Sequence, residues 1–486
     1  MSIKNKTILE LHDELVNHKT TAKKLVEELL VEIELTKHDH VLISHDKKDM
    51  LYQAELIDAK GINPEDLLMG IPYFAKDNFA TKNLQTTAGS KILEGFVPLY
   101  NANVIDLLDE SGAIMSGKSN MDELGMGGTG LSSGYGLLHN PLDHERLVGG
   151  SSSGSAFAVA KGMVPFALGT DTGDSIRKPA SFVGIVGYKP TYGAISRYGM
   201  FPYSPSLDHG GVLTRTVDDA AIVADALIKK DFRDFTSVEI AEKDFYKNIN
   251  NFDKNQTFGY IKDVHDHLPK ELREKYNELY KMMEKDGVKV VPIEFRSDLL
   301  NALSSVYMMI SFSEAVSSNA NLTGVDFGDR VDGETWEDIM KDTRTNKFGP
   351  VVKRRFIIGS LNLQKENQNI YLHKAKKVRR LICDELEKAY KQVDFLITPP
   401  SQTIAPLIVE SEEIDQNKNK ETEYIDDILT LGNFSGMPSI TIPFVTAEKM
   451  PVGLNLNAKP FADLKVLQGA KYLENLMDGM EREIFK

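Results

Sequence analysis

Two runs of small residues stand close together in the sequence. The first is Gly149-Gly150-Ser151-Ser152-Ser153-Gly154-Ser155, and the second is Gly169-Thr170-Asp171-Thr172-Gly173-Asp174-Ser175-Ile176-Arg177. Small residues let a backbone take tight or positive-φ conformations and bring its N–H groups close to a ligand. A serine in such a loop can attack a carbonyl carbon while neighbouring N–H groups stabilise the oxyanion that forms. The same composition also suits ordinary turns, so a chemical reading needs a group that can activate a hydroxyl.

Three motifs offer different chemistries. Gly150-Ser151-Ser152-Ser153-Gly154 has the G-x-S-x-G form of a nucleophile elbow, which requires a strand immediately before it and a histidine base. Asp143-His144-Glu145-Arg146 is a poor strand, and His265, His267 and His373 sit in charged helical or loop surroundings. Gly112-Ala113-Ile114-Met115-Ser116-Gly117-Lys118-Ser119 has the letters of a phosphate-binding loop. It follows a helical stripe (Val104, Leu107, Leu108) and has a strand-like interior, which predicts a helix stop, a short strand and a turn. The third is Lys76, in Gly70-Ile71-Pro72-Tyr73-Phe74-Ala75-Lys76-Asp77-Asn78. A lone lysine is ordinarily solvated. After an apolar run, however, burial lowers its pKa and leaves a neutral amine able to serve as a base. With no well-placed histidine, a serine and a buried lysine form a workable pair.

The elements that must carry these residues alternate. Thr7-Ile8-Leu9-Glu10 has capping-box form, with Ile8, Leu11 and Leu15 on one face and a second stripe at Leu25, Leu29 and Ile33. Residues 1–60 are therefore expected to be an N-terminal helical region. Phe258–Ile261 reads as a strand, Leu272, Tyr276, Leu279 and Met283 as a helix stopped by Gly287, and Val288–Val291 as a second strand. A helix over about 366–391 feeds Phe395–Pro399. Such alternation predicts an α/β protein with a mixed or parallel sheet covered by helices. The polar stretch 410–423 reads as a surface loop, and with no convincing linker the expectation is one domain over 1–486.

Composition narrows the class. The 486 residues are 41% apolar and carry a net charge of −14, so the chain has no basic footprint for nucleic acid and any RNA is expected to lie mainly on a partner. The single cysteine, Cys383, excludes an intramolecular disulfide and argues against a cysteine metal site; in a helical stretch it reads as a buried structural thiol. No uninterrupted apolar run approaches the roughly 20 residues of a membrane span, and Met1–Lys6 leads into a helical pattern and not a signal-peptide core. No membrane and a cytoplasmic location are expected.

Together these segments resemble the amidase signature family, over about residues 64–475. The family's G-G-S-S-G-G-S segment stands as Gly149–Ser155, and its G-x-D-T-G-G-S-I-R segment as Gly169–Arg177. The resemblance implies a large mixed β-sheet covered by helices on both sides and a Ser–Ser–Lys triad. Ser175 would be the nucleophile, Ser151 the bridging serine after a cis Gly150–Ser151 peptide, and Lys76 the base. Backbone N–H groups of Thr172, Gly173, Asp174 and Ser175 would form the oxyanion hole. Asn120–Gly127 resembles N-M-D-E-F-x-M-G, and Lys189–Gly199 with Ser206-Leu207-Asp208 is similar to the same branch, the glutamine-hydrolysing components of tRNA-dependent amidotransferases. That branch implies glutamine as substrate. Its α-carboxylate would meet Arg355 of Lys353-Arg354-Arg355, and its α-ammonium Asp427, with Asp426 as the other choice. Tyr307 lies in a helix-like apolar stretch that suits a core position; the resemblance implies that it lines the pocket.

The implied assembly has a B subunit that uses ATP and magnesium and holds most of the charged tRNA, together with a small C subunit. No cofactor and no metal are expected in this chain. Three departures bear on activity: Asp174 and Ser153 stand where the family has glycine, and Asp208-His209-Gly210-Gly211 replaces D-Q-x-G. A unit charge about 4 Å from a developing oxyanion is worth about 4 kcal/mol at an effective dielectric of 20, so the direction in which Asp174 faces is decisive. The alternatives are a free-standing amidase for another carboxamide and a weakened scaffold subunit.

Overall fold

The short β-branched runs resolve, in a computed structural model that describes residues 3–409, 423–478, 480 and 483–485, into strands of a single sheet. They are β1 (Leu42–Ser44), β2 (Pro72–Lys76), β3 (Ile114–Ser119), β4 (Phe166–Asp171), β5 (Val186–Lys189) and β6 (His209–Thr214). The remainder are β7 (Thr257–Ile261), β8 (Lys289–Ile293), β9 (Phe395–Thr398), β10 (Ser439–Ala447), β11 (Met450–Ala458) and β12 (Glu483–Phe485). Their spatial order is β1-β3-β2-β4-β6-β5-β10-β11-β9-β7-β8, with β12 alongside β10. The sheet is mixed: β2 runs parallel to β3 and β4, and β7 parallel to β8 and β9, whereas β4–β6–β5–β10–β11–β9 pair antiparallel. Strands β2, β3, β4, β5, β6, β9 and β11 are buried along their whole length, so helices cover both faces as expected.

The N-terminal capping box forms between Thr7 and Glu10, and Ile8, Leu11 and Leu15 are buried. Helices Ala22–Leu35 and Lys47–Lys60 follow, separated by the edge strand β1, which alternation alone did not announce. The strand–helix–strand unit appears as β7, helix Lys270–Lys285 and β8, with Gly287 at φ +87° turning the chain. The helix expected over 366–391 runs Leu372–Ala389, because residues 364–371 form turns first. On it the partly buried Cys383 thiol donates to Phe434 O at 3.3 Å, and burial pushes its pKa up. The polar stretch 410–423 lies outside the described residues but for Glu423, which opens a short turn.

The phosphate-loop lookalike is a strand. Gly112, at φ +73°, ends helix Asn103–Glu110, and β3 follows. Lys118 is buried within β3; its Nζ donates to Phe79 O and to Thr86 Oγ1 (2.9 Å) and lies 3.6 Å from Asp77. One stretch, Ser297–Ser318, has the length and apolarity of a membrane span; half of it is buried, and its helix Leu303–Ser318 packs against helices Pro350–Leu363 and Leu372–Ala389.

Candidate active site

Strand β2 is buried at every position, so its last residue, Lys76, emerges inside the protein. Its Nζ lies 2.7 Å from Ser151 Oγ, 2.9 Å from Ser152 Oγ, 2.8 Å from Thr170 Oγ1 and 3.3 Å from Thr170 O. Burial lowers the Lys76 pKa to about 7, although Asp122, Asp171, Asp208 and Asp174 oppose the shift. The Gly150–Ser151 peptide is cis. Gly150 has no room for a side chain, since a Cβ there would lie 2.0 Å from Asp122 Oδ2. That Asp122 carboxylate accepts from Gly130 N (3.1 Å), Ser132 N (3.0 Å) and Ser132 Oγ (2.8 Å), and Asp122 N donates to Ser151 O at 3.2 Å.

Residues 172–176 join β4 to helix Arg177–Val183, and a buried ion pair closes the base of this turn. Arg177 Nη2 and Nε donate to Asp171 Oδ1 and Oδ2 at 2.9 and 3.0 Å. Arg177 also donates to Gly173 O (2.9 Å), Leu429 O (2.8 Å) and Asn433 Oδ1 (2.8 Å). Burial disfavours the Asp171 carboxylate, but the Arg177 charge and hydrogen bonds outweigh it and hold the carboxyl below its usual range. Thr172 Oγ1 donates to Asp208 Oδ1 at 2.7 Å. Pinned in this way, the turn leaves the backbone N–H groups of Thr172, Gly173, Asp174 and Ser175 without an acceptor among the described residues. Ser175 is 4% exposed; its carbonyl accepts from Ser152 N at 3.2 Å, and its hydroxyl makes no hydrogen bond to Ser151.

Of the other expected residues, Tyr307 sits against this turn: a Cβ on Gly173 would lie 3.0 Å from its ring. Arg355 Nη1 donates to Tyr203 Oη at 2.8 Å, and its guanidinium lies 5.6 Å from the Tyr203 ring and 5.1 Å from the Phe312 ring. No carboxylate among the described residues forms an ion pair with Arg355. Asp427 precedes helix Thr430–Ser435, its carbonyl accepting from Thr430 N (3.0 Å) and Thr430 Oγ1 (2.6 Å). Asp426 O accepts from Lys178 Nζ at 2.8 Å, so the turn at 426–427 lies beside the 172–178 segment. Asp174 is ion-paired to Lys178 at 2.8 Å. Ser153 begins the buried helix Ser153–Ala160, its hydroxyl unpaired, and His209 Nδ1 lies 2.7 Å from Leu207 O.

The sequence reading did not single out Ser152, Thr170, Tyr203, Lys178 or Glu123. Ser152 and Thr170 belong to the small-residue runs, and only the fold shows that both reach Lys76. Tyr203 carries no sequence signal; Lys178 follows Arg177 in an ordinary helix start.

Comparison with known proteins agrees with this geometry. The chain matches the Amidase family over residues 24–467. It is 42% identical over 456 residues to the A component of the glutamyl-tRNA(Gln) amidotransferase of Mycoplasma genitalium, covering 92% of this chain and 93% of that one. The same component from Mycoplasma pneumoniae is 44% identical over 416 residues, covering 84% and 86%. Among solved structures, its Thermotoga maritima counterpart superposes with a TM-score of 0.77 at 34% identity, covering 96% of this chain and 94% of that one. The peptide amidase of Stenotrophomonas maltophilia, 22% identical, shares the fold with a TM-score of 0.81, covering 98% of each chain. The chain is a member of the Amidase family.

Proposed function

We propose that the chain is the glutamine-hydrolysing subunit of a cytoplasmic tRNA-dependent amidotransferase and supplies ammonia for amidation of Glu-tRNA(Gln) or Asp-tRNA(Asn). The observation that carries the chemistry is the contact between the buried Lys76 amine and Ser151, beside a turn of N–H groups with no acceptor among the described residues. With a pKa near 7, Lys76 is neutral in a large fraction of molecules at neutral pH, and its lone pair can accept the Ser151 proton. Ser151 in turn takes the proton of Ser175 as Ser175 Oγ attacks the glutamine carboxamide carbon. The N–H groups of Thr172, Gly173, Asp174 and Ser175 stabilise the oxyanion of the tetrahedral intermediate. The relay then returns the proton to the leaving nitrogen, ammonia departs, and water releases glutamate from the acyl-enzyme by the same steps.

Substrate contacts follow from charge. A guanidinium without a carboxylate partner among the described residues suits the α-carboxylate of glutamine, which supports Arg355, and Tyr307 lines the wall beside Gly173. Asp427 receives the α-ammonium, supported by the closeness of the 426–427 turn to residues 172–178. A B subunit using ATP and magnesium, and holding most of the charged tRNA, and a C subunit would complete the assembly. The names of relatives at 42% and 44% identity support this partner set.

The test is ammonia release from glutamine by the purified chain, alone and with co-expressed partner subunits, beside Ser175→Ala. Release that rises with partners and vanishes in the variant is expected. Turnover of diverse amides without partners would instead indicate a free-standing amidase, and an intact complex with no acyl-enzyme a scaffold subunit.

A further inference from the structure

Asp174 immediately precedes Ser175, where the amidase signature has glycine. A carboxylate at that position threatens the chemistry twice. It can occupy or repel charge at the N–H groups meant for an oxyanion, and it can hold a proton on the lysine that must be neutral. The structure shows neither contact. Asp174 Oδ2 lies 2.8 Å from Lys178 Nζ, one helical turn along, with side-chain exposures of 24% and 16%. None of the Thr172–Ser175 N–H groups donates to it. Lys178 is itself held in place, since its Nζ also donates to Asp426 O at 2.8 Å and its backbone N to Asp174 O at 2.9 Å.

The surroundings make the location of this charge matter. Asp426 and Asp427 face the pair from the turn before helix Thr430–Ser435, and their charges with that of Asp174 outweigh burial and keep Lys178 firmly protonated. From β2, Lys76 lies within electrostatic reach of Asp174, and Asp122, Asp171 and Asp208 already act on the same amine. A fourth uncompensated carboxylate would add to that protonating field.

We propose that Lys178 is a positioning residue that neutralises Asp174 and anchors its carboxylate away from the Thr172–Ser175 N–H groups, so that an aspartate beside the nucleophile is compatible with acylation. It rests on the assignment of Ser175 as nucleophile and Lys76 as base. The same ammonium, through Asp426 O, fixes the turn that carries Asp427 against the nucleophile turn.

The experiment is a double-substitution cycle in the full chain with its partner subunits, using Lys178→Gln, Asp174→Asn and the pair together, with glutamine as substrate. Lys178→Gln alone is expected to lower kcat by about tenfold or more, the effect of one exposed charge at this range. It also displaces the acid limb of kcat/KM to higher pH, because Lys76 then keeps its proton longer. In the Asp174→Asn background, where there is no charge to neutralise, Lys178→Gln costs less than about twofold relative to that background. Equal losses in both backgrounds would show Lys178 to be merely structural and overturn the inference, as would an unmoved pH limb. Ser175→Ala separates the two levels. If it retains glutaminase activity, the underlying assignment falls; if it is inactive while Lys178→Gln matches the parent, only the role of Lys178 falls.

Discussion

Glu123 Oε2 accepts a hydrogen bond from Gly349 N at 2.7 Å, tying the turn beside Ser151 to the residue that caps the helix carrying Arg355. The other carboxylate oxygen accepts from Ser90 Oγ at 2.5 Å, and Glu123 is 2% exposed, so burial raises its pKa to about 7. Its neighbour Asp122 donates its N–H to Ser151 O, so two consecutive acids connect the proposed relay to the proposed carboxylate-binding helix. Removing Glu123 strips two hydrogen bonds from buried groups, at about 1–3 kcal/mol. Glu123→Ala is therefore expected to unfold at lower denaturant and to raise the KM for glutamine more than it lowers kcat, while Glu123→Gln keeps most of both. A variant with unchanged KM and reduced kcat would break the link to Arg355.

The pH dependence follows from Lys76. Its pKa is lowered to about 7, and the proposed base must be unprotonated. kcat/KM for glutamine is expected to climb about tenfold per pH unit below about 7 and to level off above it. The sign is that of a lysine titrating: activity is lost as the pH falls. A profile flat between about pH 5.5 and 8 would exclude Lys76 as the titrating base.

Lys118 offers a test of the phosphate-loop lookalike. Burial lowers its pKa to about 8 against the pull of Asp77, and its ammonium serves Phe79 O and Thr86 within the sheet. Lys118→Met is expected to cost about 3–5 kcal/mol by leaving Asp77 buried and uncompensated, and adding Asp77→Asn should return part of it. Calorimetric titration of the parent chain with ATP should show no binding, because a strand interior has no N–H cradle for phosphates.

How much was legible in the sequence depends on the kind of signal. Periodicity gave the helical faces at Ile8, Leu11 and Leu15 and the β7–helix–β8 unit, because burial repeats locally. The clustered small residues marked the site, because close backbone approach restricts side-chain size, as at Gly150 beside Asp122. Long-range pairings left no trace: Glu123 with Gly349, and Arg177 with Asn433, are set by how β4, helix Pro350–Leu363 and helix Thr430–Ser435 meet. Strand β1 has three residues and no alternation to read. The direction of Asp174 was likewise undecidable, since it depends on Lys178 being fixed by Asp426 O.

The Asp171–Arg177 pair separates stability from turn geometry. Arg177 is fully buried, and its two bonds to Asp171 are accompanied by one to Gly173 O, inside the proposed oxyanion turn. Asp171→Asn leaves the guanidinium without its counter-charge, an expected loss of about 3–5 kcal/mol in denaturant unfolding. The folded carboxyl titrates below the unfolded value of about 3.9, so this contribution is present above that pH and fades as the pH falls below it. The parent should therefore lose more stability between about pH 4 and 2 than Asp171→Asn does. Arg177→Lys keeps the charge but cannot make the two-pronged contact and reach Gly173 O together. It should retain more stability than Asp171→Asn yet lose about a hundredfold in kcat, the order expected when an oxyanion turn is displaced. Full activity in Arg177→Lys would mean that Asp208, through Thr172, and Asn433 suffice to hold the turn.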